Sequence, residues 1–194
     1  MPALDSLMEE HALIRATLTA LEVYADQLER STGADRVDLK RFAAFFMDFA
    51  ELWHHGKEED VLLPALARAG LAWDDGMLAL VREDHEQENY LIRVISQAAS
   101  QEGVFEPEDL RHALAAIRDF AQHQRLHLER EEKSLYPEVA RRLTGAARED
   151  LAREFADLEH QRFGHLDYEH CRQDARALIQ RYPAPAPIAQ DSPP

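Results

Sequence analysis

Cysteine is nearly absent from this chain. Cys171 stands alone among 194 residues, which excludes an internal disulfide framework and a cysteine-based zinc site within one chain. Glycine is scarce, at 7, and β-branched residues never gather into the alternating runs that mark strands. No apolar run approaches the roughly 20 residues that a membrane-spanning helix needs. The N-terminus, MPALDSLMEEHALI, has Asp and Glu where a secretion signal carries basic residues before an apolar core. Basic residues are also few: 22 against 37 acidic ones, a net charge of −15. Such a surface repels phosphate backbones and anionic lipids, which disfavours nucleic acid and membranes as partners, and it attracts cations. These absences describe a soluble, cytoplasmic chain.

What remains is helical. Apolar residues recur at helical spacing, so the expected fold is all-α. Ser6 and Glu9 have the spacing of a capping box before a first helix over about 6–30, and STGAD (31–35) breaks it. A second helix is expected over about 37–69, stopped by Gly70. A third is expected over about 74–101, and a fourth from Pro107 to about 143. Beyond TGA, a fifth is expected over about 147–181. This gives an antiparallel four-helix bundle over residues 1–145 and a C-terminal helix within 146–182 that covers the bundle or forms a dimer contact. The tail PAPAPIAQDSPP (183–194) is too proline-rich to build a core and is expected to be disordered.

The chain repeats itself. WHHGKEEDVLLPAL (53–66) and LHLEREEKSLYPEV (126–139) share the pattern His-x-x-x-Glu-Glu-x-x-Leu-x-Pro, at an offset of 73 residues. His11, in EEH, and His85, in EDH, lie 74 apart. A duplicated helical hairpin therefore closes on itself, and equivalent positions meet near a pseudo-twofold axis. Residues four apart share a helix face. His54 with Glu58, and His127 with Glu131, can thus aim at one point, joined by His11 and His85 from the other two helices. Carboxylates buried in a bundle need cations to neutralise them, and an imidazole–carboxylate set favours iron. A single such segment would be an ordinary charged face; the repetition argues for metal. Pro64 and Pro137 should each kink or restart a helix beyond the motif.

These residues resemble the hemerythrin-like (HHE cation-binding) domains over about residues 5–143. The resemblance implies a four-helix bundle with a carboxylate-bridged pair of non-haem irons. Carried over by position, the ligands are His11, His54, Glu58, His85, His127 and Glu131. Oxygen-carrying members have a second His on the third helix, where this chain has Asn89. His123, one turn before His127, is the candidate to replace it and restores the family total of five His and two carboxylates. A role for His123 in orienting another ligand explains it equally well, and Glu88, Glu59 or a water are the other candidates for the open position. His55, about 100° round an α-helix from His54, reads as a surface or supporting residue. His112, His160, His165 and His170 read as structural or exposed, while Tyr90, Tyr136 and the Phe42–Trp53 aromatics read as packing.

Three functions follow from such a site. The first is a non-enzymatic protein that binds dioxygen or a related diatomic, or senses iron or redox state. The second is an enzyme acting on peroxide or nitric oxide, and the third is an interaction bundle that has lost its metal. A homodimer or another protein would be the macromolecular partner. The ligand set favours the first.

Overall fold

The computed structural model describes residues 1–30, 36–162 and 168–185. The STGAD break, His165 and most of the proline-rich tail lie outside the described residues. All regular structure among them is helical, and no helix is long and apolar enough to cross a membrane.

Helix α1 spans Pro2–Arg30. It begins four residues before the position that the Ser6 capping box predicts. Pro2 needs no amide partner in a first turn, and the Met1 ammonium binds the Asp5 carboxylate at 3.2 Å, so Ser6 is inside the helix. The second helical segment comprises α2 (Arg36–Phe45), wide π-helical turns over Phe46–His55 and Glu58–Leu62, and α3 (Leu63–Arg68). Helix α4 (Met77–Ser100) starts after Gly76, whose φ of 68° suits a residue without a Cβ. Helix α5 (Pro107–Arg130) leads through another π-helical turn, Glu131–Leu135, into α6 (Tyr136–Arg142). The predicted C-terminal helix is described as two, α7 (Ala146–Arg162) and α8 (Tyr168–Arg181).

The π turns recur at the same place in both copies of the repeat. Each is closed by an amide bonding five residues back, Leu63 to Glu58 and Tyr136 to Glu131. Pro64 and Pro137 follow immediately, in the first turns of α3 and α6. Proline offers no N–H, and its ring crowds the carbonyl four residues earlier, so a widened turn accommodates it where a regular α-turn would clash. The helix restarts, as the prolines predict, but through a widened turn.

Helix α4 packs along α5 and α2, while α1 packs along α5 and α8. Two apolar clusters form the interior. One gathers Ile14, Leu18, Phe42, Phe46, Ile92, Ile117 and Phe120 and receives Leu178 from α8. The other gathers Leu7, Leu62, Leu66, Val81, Leu135 and Val139 and receives Leu151 and Phe155 from α7. Between them runs a buried polar layer containing His11, His54, Glu58, His85, His127 and Glu131. On every contributing segment the polar residues fall where the chain passes from one cluster to the other.

Candidate metal centre

The polar layer holds two sets of donors that share their carboxylates. His11, His54, Glu58 and Glu131 offer donor atoms all within 4.8 Å of one another, and so do Glu58, His85, His127 and Glu131. Within the first set, Nε2 of His11 and Nε2 of His54 are 3.1 Å apart, and Nε2 of His11 is 3.3 Å from Glu131. Within the second, His85 Nε2 lies 3.4 Å from Glu58 and 3.7 Å from Glu131, and His127 Nε2 lies 3.3 Å from Glu131. All six side chains are buried.

Outer carboxylates set the direction of each ring. His11 Nδ1 meets Glu132 at 2.9 Å, His85 Nδ1 meets Glu59 at 2.8 Å, and His54 Nδ1 meets Glu10 at 2.9 Å. His127 Nδ1 faces Asp84 at 3.5 Å. A nitrogen hydrogen-bonded to a carboxylate carries the proton and donates it, which turns Nε2 inward, where a cation replacing its proton would find the lone pair. The doubled Glu of the repeat is thereby explained. Glu58 and Glu131 turn inward, and Glu59 and Glu132 hold imidazoles from the opposite half. Glu10, just before His11, holds His54, while Asp84, just before His85, stands 3.5 Å from His127 Nδ1 without a hydrogen bond to it.

Glu10 gathers further donors: Trp53 Nε1 at 3.0 Å and the buried ammonium of Lys57, which also reaches Glu159 on α7 at 3.2 Å. Burial alone would raise the Glu10 carboxyl, but His54 and Lys57 hold it down at about 2. Tyr136 donates to Glu58 at 2.9 Å and lies 2.8 Å from His11 Nε2.

Of the two readings of His55, surface or supporting residue, the structure removes the first: it is buried and forms a third donor group with His85 and His127. Its ring stacks on His85 with centroids 3.9 Å apart. The prediction that it turns away rests on α-helical geometry, whereas Phe46–His55 is π-helical. The wider turn brings neighbours in sequence round by a smaller angle, so His54 and His55 both face inward. Among the described residues, His123 belongs to none of the four groups of donor atoms that could hold a metal. It is only half-buried, and its Nε2 lies 3.5 Å from Asp84. Asn89 lines a cavity beside the layer and hydrogen-bonds to Glu51. Tyr136, which reads as a packing residue, places its hydroxyl in the layer; its repeat counterpart is Leu63, so the sequence carries no signal for it.

The protonation pattern is that of a site built for positive charge. Burial works against a charged His85, yet Glu131, Glu58 and Glu59 raise it well above the ordinary histidine range. His11 is raised against the same burial by Glu131, Glu58 and Glu132. Burial tends to raise Glu131, but His127, His11 and His85 hold it well below the carboxylate range. His55 is pushed well below the histidine range by burial and by His85, His127 and His54, leaving a neutral imidazole.

The donor set fits metal binding. His55 Nε2, His85 Nε2, His127 Nε2, Glu58 Oε2 and both oxygens of Glu131 are buried without a hydrogen-bond partner. So many orphaned acceptors in one layer would be strongly destabilising unless cations complete them. The chemistry of the set, imidazole with carboxylate, suits iron.

Comparison with known proteins agrees. The model of the hemerythrin HHE cation-binding domain matches residues 3–139. Uncharacterized proteins of Mycobacterium tuberculosis and Mycobacterium bovis are each 25% identical to this chain over 168 residues, 85% of its length. The chain spans 64% of the length of those relatives. No solved structure matches it.

Proposed function

The chain belongs to the hemerythrin HHE cation-binding family, and from that premise we propose that it is a non-haem di-iron protein that binds dioxygen or a related diatomic. The scaffold is an antiparallel four-helix bundle formed by the segments around α1, α2, α4 and α5. His11 and His54 would hold one iron, His55, His85 and His127 the other, and Glu58 and Glu131 both. His55 in place of His123 keeps five imidazoles and two carboxylates. The observation that carries this reading is the sharing of Glu58 and Glu131 between two donor groups of a single buried layer.

Bound iron supplies a reversible electron source and an open position for a small ligand. The chain does the rest. Glu132, Glu10 and Glu59 hold His11, His54 and His85 with Nε2 inward, which fixes the ligands before the metal arrives. The two apolar clusters cover the layer on either side. Tyr136 donates to Glu58 and is the nearest O–H to a molecule resting between His11 and Glu58. Burial and the charges of Glu58 and Glu131 raise this phenol far above the ordinary tyrosine range, so it keeps its proton.

The test is metal analysis with an optical spectrum of the protein as isolated, reduced without oxygen, and returned to air. About two irons per chain, with an iron charge-transfer absorption that disappears and returns through repeated cycles, is the expected result. Iron that oxidises once and then consumes peroxide or nitric oxide catalytically would replace binding by catalysis. A protein that takes up no iron, and whose melting temperature ignores added metal, would overturn the reading.

A further inference from the structure

A cavity of about 620 Å³ opens beside the polar layer, between the π-helical part of the second segment and α4. Its wall carries the carboxylates of Glu51, Glu59, Asp60 and Glu86 against one guanidinium, Arg93. His55 and His85 also reach this wall, so the cavity touches the metal layer itself. A concave surface of one sign focuses field and concentrates counter-ions within it. The cavity therefore attracts cations.

At the inner end of the cavity, Glu51, His55 and Glu88 offer donor atoms within 4.8 Å of one another. His55 Nδ1 is 3.6 Å from Glu51, and His55 Nε2 is 3.4 Å from Glu88. Glu88 does not line the cavity. It is fully buried, and neither of its oxygens has a hydrogen-bond partner. The shared-carboxylate groups of the centre do not include it either. A carboxyl group at such depth with no hydrogen-bond partner is expensive to keep. Asn89 shows how the outer carboxylate is held: its carbonyl accepts from Arg93, and it hydrogen-bonds to Glu51.

We propose that Glu51, His55 and Glu88 form a transit site for a divalent cation between the acidic cavity and the metal centre. The proposal rests on the reading of the polar layer as that centre. Cations gather in the cavity, Glu51 and Glu88 hold one against His55, and His55 belongs to both groups, which makes the two sites consecutive stations. Glu88 is unpartnered because its partner is a passing ion. Asn89 gives the position a supporting role for Glu51 in place of an imidazole ligand.

The experiment follows uptake of ferrous iron, without oxygen, by metal-stripped wild type, Glu51→Gln, Glu88→Gln and the double variant. The rate is read by rapid mixing and the final content by metal analysis after desalting. Wild type and all variants are expected to reach the same final content, with uptake slowed about tenfold in each single variant, at the low end of the effect of a focusing cleft. Manganese(II) titration followed by electron paramagnetic resonance should show one weakly held equivalent in wild type that the double variant lacks. Melting curves of the stripped proteins confirm folding; losing a buried carboxyl group that has no hydrogen-bond partner should leave Glu88→Gln at least as stable as wild type. Uptake at the wild-type rate in the variants overturns the transit site and leaves the centre standing. A final content that falls in Glu88→Gln also overturns it, because Glu88 would then be a ligand of the centre. Wild type that takes up no metal overturns the centre itself.

Discussion

Glu59 accepts a hydrogen bond from Nδ1 of His85 at 2.8 Å, across the two halves of the repeat. Its counterpart Glu132 accepts one from His11 at 2.9 Å in the opposite direction. The same side chain that follows a metal-facing Glu in one half thus aims an imidazole in the other. The arrangement lends itself to test residue by residue.

His55 and His123 are separated most directly by metal content. Removing an orienting partner alone lowers metal affinity about 10–100-fold, and removing a ligand costs at least that. His55→Ala should therefore lose iron to a chelator that leaves wild type loaded, whereas His123→Ala should retain it. Metal analysis after dialysis decides; equal retention by the two variants would return His55 to a supporting role.

Lys57 and Glu10 form a buried ion pair, with the Lys57 ammonium near the rings of Trp53 and Phe155 at 5.4 and 5.7 Å. Lys57→Met leaves the Glu10 charge uncompensated and should cost about 3–5 kcal/mol in urea unfolding. The double variant Glu10→Gln with Lys57→Met should recover most of that loss. Equal stability of the single and double variants would count against the coupling.

Glu88 predicts a pH dependence for the metal-stripped protein. Burial pushes its carboxyl up to about 7 from a reference of 4.5, against the charges of His127 and His85. Between those values the folded state binds the proton and the unfolded chain does not, so stability falls as pH rises through this window. The contribution is on the order of 3 kcal/mol. Melting curves of stripped wild type and Glu88→Gln at about pH 5 and pH 8 should show a smaller drop in the variant. Parallel curves would remove Glu88 as the cause.

Tyr136→Phe removes one donor from Glu58 without emptying the layer. It should cost about 1–1.5 kcal/mol, leave iron content unchanged, and shift the iron absorption. Loss of iron on this substitution would mean that the phenol holds metal.

The sequence makes the helical class, the four long segments and six residues of the layer legible through one device, the repeat. Equivalent residues at matching offsets must meet if a duplicated hairpin closes, and His54, Glu58, His127 and Glu131 do meet. His55 is hidden because helical-wheel reasoning assumes an α-turn, and the π turns there change the angle between neighbours. His123, one turn before His127 on a regular helix, stands 3.5 Å from Asp84, a position that suits the orienting role its spacing equally allows. Tyr136 and Lys57 are unreadable because nothing in their local pattern distinguishes them from a core aromatic and a surface lysine. Only the packing of α7 over the second cluster encloses Lys57.

The exchange between Glu59–His85 and Glu132–His11 has the form of a two-fold dimer interface, where residue i of one subunit meets j of the other and j meets i. Neither hairpin orients its own first histidine; each depends on its twin. A hairpin standing alone would leave its first histidine unaimed, so the site needs both halves within reach of each other.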